Sequence, residues 1–174
     1  KYLHRNLQPV YTSEKLWAVC LNTVLPSQHV SGRVSERQVE WVSQQLRSAP
    51  DSAIKAVVGH HPFAAVLQSD SKNIISGANY ALEQWSRAGL DLVLGGHIHF
   101  PFIAPLNHHV GGLQGDPWIV QTGTATSTRV RNNAPNSFMN LQVGDEHSDV
   151  YIQRWDYSDE KKIFYKAQTI KPWS

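Results

Sequence analysis

Cysteine is nearly absent from this 174-residue chain. Cys20 stands alone, which excludes an intrachain disulfide framework, and its apolar surroundings mark it as a small buried hydrophobe. No apolar stretch approaches the length of a membrane-spanning helix, and the N-terminus has no signal-peptide core. Blocks of Lys or Arg are also missing, and the formal net charge is only +2. Composition therefore gives no electrostatic case for nucleic acid or a membrane surface as partner. These absences fit a cytoplasmic location. The chain does not begin with Met and starts in mid-pattern, so a leader upstream is compatible with it.

What is present is a normal core and an excess of histidine. Hydrophobic residues make up 41% of the chain, enough for one ordinary domain rather than a disordered segment. Six of the nine histidines lie between His60 and His109. Histidine is the commonest metal ligand and a frequent acid–base group near neutral pH.

The hydrophobic pattern predicts an α/β fold. Leu16-Trp17-Ala18-Val19-Cys20-Leu21 is a continuous apolar run, the signal of a strand buried on both faces. Lys1–Ser13 and Asn22–Gly32 read as irregular, with Pro9 and Pro26 as breakers. Ser35-Glu36-Arg37-Gln38 is a capping box that opens a helix with Val39, Val42 and Leu46 on one face, and Pro50 stops it. Ile54–Val58 is the next strand. Phe63–Gly77 reads as a mixed loop over the mouth of a site. A second helix follows over about Ala78–Ala88, with Gly89 as its C-terminal glycine. Asp91–Leu94 is the third strand. Strand–helix–strand–helix–strand argues for parallel strands joined by right-handed crossovers. Beyond Phe100 the segments Trp118–Thr122, Phe138–Val143, Val150–Trp155 and Ile163–Ala167 read as antiparallel strands and hairpins.

Two strand exits share one grammar. Val57-Val58 leads into Gly59-His60-His61-Pro62, and Leu92-Val93-Leu94 leads into Gly95-Gly96-His97-Ile98-His99. In an extended segment residues i and i+2 face the same side, so His97 and His99 can aim both imidazoles at one place. Parallel strands deliver their C-terminal ends to one edge, where such sheets bind ligands. His60 and His97, one crossover helix apart, are expected to meet there with His99 as metal ligands.

Gly59-His60-His61-Pro62 and Gly96-His97-Ile98-His99 resemble the last two signatures of the calcineurin-like metallophosphoesterases. The spacing between them fits as well. The capped helix over Gly32–Gln45 and the run Gln121-Thr122-Gly123-Thr124-Ala125-Thr126 resemble the bacterial class III cyclic-nucleotide phosphodiesterase branch. The resemblance covers about Leu16–Trp155. It implies a metallophosphatase-type αββα sandwich with a two-metal site. His60 and His97 would then bind one metal and His99 the other. The ions would be divalent or mixed-valence Fe, Mn, Zn or Co, since neutral imidazoles suit all of them. The implied activity is phosphoester hydrolysis, a phosphodiesterase acting through a two-metal-activated hydroxide, on a small phosphoester such as a cyclic nucleotide. His61 is the candidate for orienting a ligand, contacting the phosphate or protonating the leaving group.

The family also uses Asp-X-His, Gly-Asp-X-X-Asp and Gly-Asn-His signatures, and none of these precedes His60. Asp145-Glu146-His147 matches Asp-X-His by letters but falls in a polar stretch that reads as a hairpin turn. Residues 1–174 are accordingly expected to be the C-terminal portion of a single phosphoesterase domain, without an internal boundary, that needs the N-terminal part. The alternative is a degenerate, non-catalytic module of the same fold used for binding or scaffolding. His108-His109 reads as a solvated turn, and Arg129 and Arg131 as surface charge, although arginine there could hold a phosphate oxygen. The six tryptophans read as packing. Expressed alone, Lys1–Ser174 is expected to aggregate or to show no phosphodiesterase turnover with Mn²⁺; robust turnover would contradict the half-site reading.

Overall fold

The computed structural model describes residues 6–25, 28–146 and 148–173, with 28–31 as backbone only. Its strands are β1 (Val10–Thr12), β2 (Leu16–Leu21), β3 (Val24–Leu25), β4 (Gln28–Gly32), β5 (Ile54–Gly59), β6 (Leu92–Gly95), β7 (Phe102–Pro105), β8 (Trp118–Gln121), β9 (Ser137–Val143), β10 (Val150–Ser158) and β11 (Ile163–Ile170). Two α-helices, α1 (Glu36–Arg47) and α2 (Ala78–Arg87), link β4 to β5 and β5 to β6.

The central sheet has the order β1-β2-β5-β6-β8-β7. Strands β2, β5, β6 and β8 run parallel, and β1 and β7 add antiparallel edges. The strand–helix–strand reading of the sequence therefore matches the structure. Several expectations are corrected, among them the irregular reading of Lys1–Ser13, where Val10–Thr12 forms β1. Trp118–Gln121 does not belong to the antiparallel tail of the chain; it lies parallel to β6 and antiparallel to β7 inside the central sheet. Phe102–Pro105 turns back beside it as a strand that Pro101 and Pro105 hide in the sequence. The pair β3–β4 likewise forms within the segment read as loop.

Each parallel strand serves two cores, because successive residues face opposite sides. Val19, Val57, Val93 and Ile119 pack toward the helices with Val39, Val42, Leu46, Leu82 and Trp85. Ile54, Ala56, Leu92 and Val120 face the other way, against Val150 and Ile152 of β10 and Met139 and Leu141 of β9. The three-stranded sheet β11-β10-β9 thus covers the second face. The layers are helix, sheet, sheet. A second helical layer of the αββα arrangement is not formed by the described residues. No helix among them is long and apolar enough to cross a membrane.

Helix ends follow the local chemistry. Ser35 accepts from the Gln38 backbone N–H, and the Gln38 side chain accepts from the Ser35 N–H, completing the capping box. Gly89 (φ 90°) closes α2: its N–H bonds to the Ser86 carbonyl, and the Leu90 N–H reaches back to Trp85. That is a Schellman ending, which needs the left-handed residue glycine supplies. Trp85 is fully buried, crosses edge-on to Phe63 and donates its indole N–H to the Val39 carbonyl of α1 at 3.2 Å. It ties the two helices together. Cys20 lies in β2, half-buried, and burial pushes its thiol pKa up.

In urea unfolding of the full-length protein, Trp85→Ala is expected to cost about 3–5 kcal/mol through the cavity it leaves. Ser35→Ala, which removes only a cap, is expected to cost about 1 kcal/mol.

Candidate functional site

Register decides where the two histidine loops go. Val58 pairs with Leu94 across β5 and β6, and Leu94 pairs with Val120 across β6 and β8. The strand exits therefore stand side by side on one sheet edge. Backbone bonds then lock the loops: the Gly96 N–H donates to the His60 carbonyl at 3.0 Å, and the Thr122 N–H donates to the Gly95 carbonyl at 2.8 Å. Gln121, wholly buried at the end of β8, donates its side-chain N–H to the Gly96 carbonyl. In the sequence Gln121 stands out only as the start of the run Gln121–Thr126, with no role of its own. Its signal was available, a lone amide closing the apolar strand Trp118-Ile119-Val120.

The rings converge. His97 Nδ1 and His60 Nε2 are 3.1 Å apart, within one hydrogen bond. Only one of the two nitrogens carries the hydrogen, so the other presents a lone pair to it. The His61 ring lies 4.7 Å from that of His97 and 5.1 Å from that of His60, centre to centre. His61 is buried, and its Nδ1 is 2.7 Å from the Thr23 hydroxyl. Burial, then the neighbouring His97 and His60, pull its pKa down to about 4, so it stays neutral over the physiological range.

His97 and His99 reach the site by a different route from the one the sequence suggested. The backbone is not extended there. His97 has φ 72° and His99 φ 55°, and the Ile98 N–H bonds to the Gly96 carbonyl at 2.8 Å. This is a γ-turn of the positive-φ kind, rarer and more strained than its inverse. Ile98 is buried in the helix-side core and pins the loop, while the two histidines stay partly exposed around it. Strained, non-glycine backbone of this sort gathers at functional sites.

His60, His97 and His99 all line one cavity of about 560 Å³. The rest of its lining is Asn73, Arg129, Val130 and Arg131. The Phe63–Gly77 segment thus does border the site, through a 3₁₀ turn over Gln68–Asn73. The arginines expected as surface charge are instead part of the site wall. His61 lies beneath the cavity and is not in its lining. His108 and His109 are exposed and apart from it. Asp145 and Glu146 sit in the β9–β10 turn, where Asp145 pairs with Lys15, which holds its carboxyl below the usual range. His147 lies outside the described residues.

The donor set can be tested against metal binding. Two nitrogens bound to one ion at ~2.05 Å and near-tetrahedral angles stand roughly 3.3 Å apart. The 3.1 Å separation of His60 and His97 suits such a pair. His99 donates its Nδ1–H to the Arg129 carbonyl at 2.6 Å. That bond fixes the tautomer and leaves Nε2 with its lone pair, the arrangement typical of a metal-binding imidazole. Among the described residues, however, no group of three or more His, Cys, Asp or Glu side chains is placed to hold an ion. The histidines fit as part of a site.

No family model and no curated protein matches the chain. Solved structures do. GAP50, the anchor in the inner membrane complex of Plasmodium, is 20% identical with a TM-score of 0.55, over 99% of this chain and 56% of that one. The present chain thus spans about half the length of that protein. Zn²⁺-complexed Vps29 from Entamoeba histolytica is 16% identical with a TM-score of 0.36, over 88% and 97% of the two chains. A Staphylococcus aureus protein assigned as a 5'-nucleotidase is 13% identical with a TM-score of 0.45, over 99% and 30%. The likeness to GAP50 is one of fold. Layers and topology make the chain a mixed α/β sandwich of helix, mainly parallel sheet and antiparallel sheet.

The His61 layer has no room to spare. A Cβ on Gly32 would stand 2.5 Å from His61 Nδ1 and 2.8 Å from the Thr23 carbonyl oxygen, which is backbone and cannot swing away. Gly32→Ala is expected to cost about 1–3 kcal/mol by overpacking, read as a lower Tm in a thermal melt of the full-length protein.

Proposed function

We propose that this chain supplies the histidine half of a metal-dependent phosphoester hydrolase, acting on phosphodiesters such as cyclic nucleotides. The observation that carries this reading is the 3.1 Å approach of His97 Nδ1 to His60 Nε2 at the shared sheet edge. In the proposal His60 and His97 hold one metal ion and His99 holds a second through Nε2. Divalent or mixed-valence ions of Fe, Mn, Zn or Co bound there supply Lewis acidity and lower the pKa of water to near neutrality. His61 acts beneath them. Tied to Thr23 and neutral, it packs against the His97 ring and sets its orientation without adding a competing charge. The residues of the chain's other portion, which would include carboxylates, complete the donor set, and a small phosphoester enters the 560 Å³ cavity. A cytoplasmic setting is part of the same proposal.

A second reading has one observation in its favour. Because the described residues assemble no group of three donors, a non-catalytic module of the same fold is also consistent with the geometry. One experiment separates the two. In the full-length protein, His97→Ala is expected to lose most bound metal by elemental analysis and most phosphodiesterase activity, whereas His108→Ala keeps both. Equal effects of the two substitutions would put the site elsewhere. A wild-type protein with neither metal nor turnover would favour the module.

A further inference from the structure

The cavity has a wall that the proposed hydrolysis leaves unused. Arg131 reaches it from the segment after β8, and its Nη1–H donates to Asp70 Oδ1 at 2.9 Å. Asp70 comes from the 3₁₀ turn over Gln68–Asn73 and is 1% exposed. The Asn73 amide donates to the same oxygen at 3.3 Å, while Asp70 Oδ2 is buried without a hydrogen-bond partner. One end of this ion pair is therefore fixed inside the protein. The other end, the guanidinium, is half-exposed in the cavity lining. A guanidinium carries five N–H donors in a planar fork, and Asp70 uses one of them. The fork is held in place with donors to spare, and its shape matches phosphate and carboxylate oxygens.

One further observation ties this wall to the histidines, and two describe the cavity it faces. The Arg129 carbonyl accepts from His99, so the same three-residue stretch fixes the His99 ring and presents the Arg131 fork. Acidic side chains are absent from the described cavity lining, which holds two arginines. The volume, about 560 Å³, is within the range of cavities that enclose whole organic ligands rather than a single oxyanion.

We infer that the Arg129–Arg131 wall is a specificity subsite for a second anionic group, so that the favoured substrates are phosphoesters bearing a further phosphate or carboxylate. Arg131 is the contact residue, and Asp70 is its positioning residue. This rests on the hydrolase reading for the reacting phosphate but not for the binding of the second anion. The test uses two substrates with the same reacting group: thymidine 5'-(p-nitrophenyl phosphate) and its 3'-phosphorylated counterpart. With the full-length, metal-loaded protein, the 3'-phosphorylated compound is expected to show a KM roughly ten- to a hundredfold lower, the range of a charged hydrogen-bonded contact. Arg131→Gln removes most of that preference, and Arg131→Lys restores only part of it. Because Arg131→Gln strands a buried carboxylate, the double substitution Asp70→Asn/Arg131→Gln is the second variant, with the same expected loss. Independently, calorimetry on the metal-depleted protein is expected to show thymidine 3',5'-bisphosphate binding that Arg131→Gln weakens at least tenfold. No preference between the two substrates overturns the subsite. An equal fall in kcat for both on Arg131→Gln also overturns it, placing the arginine on the reacting phosphate instead. Absence of all turnover together with Arg131-dependent binding sinks the hydrolase reading while leaving the subsite standing.

Discussion

Parallel register among β5, β6 and β8 is the constraint on which the site depends. Val58, Leu94 and Val120 are paired across the three strands, so their exits end at one level. A slip of one residue in β6 would exchange Val93, which faces the helices, for Leu94, which faces the second sheet. It would also carry His97 away from His60. The hydrogen bonds from Gly96 to His60 and from Thr122 to Gly95 then join the exits into one platform. The imidazoles owe their convergence to backbone pairing several residues away.

The platform is supported from beneath by polar groups that are each tied down. His61 rests against Gly32 and the Thr23 hydroxyl, where the lack of a side chain at Gly32 makes the space. Gln121 reaches under the glycine turn to the Gly96 carbonyl. Asp70 accepts hydrogen bonds from Arg131 and Asn73. Each of these side chains is buried and makes at least one hydrogen bond, while Gln121 Oε1 and Asp70 Oδ2 are left without a partner, which is costly in a buried setting. The result is a polar layer with little freedom, placed between an apolar core and an open cavity.

Much of this was legible in the sequence. Apolar runs at Leu16–Leu21 and Ile54–Val58, the Ser35 box and Gly89 are local signals, and they lie where the structure has those strands and helix ends. Convergence of His60 and His97 followed from topology alone. What escaped was non-local. β8 reads as one strand of a hairpin, and only its pairing with β6 makes it part of the parallel sheet. Arg131 looks like any solvated arginine until Asp70, 61 residues earlier, is seen to grip it. The route of His97 and His99 differs from the sequence expectation because the backbone past Gly95 is not extended. Chain geometry there turns left-handed, and no residue type at those positions announces it.

That left-handed backbone sets stability against chemistry. Side chains other than glycine or asparagine are disfavoured there, each by about 1–2 kcal/mol. Two such positions, separated by Ile98, are occupied here by imidazoles, at φ 72° and 55°. Glycine at either position would relieve the backbone and remove the ring. Selection for thermal stability alone would thus drift toward replacing the residues at the centre of the cavity. Variants recovered from such a selection would map the site by what they discard, in the pattern of a stability–activity trade-off.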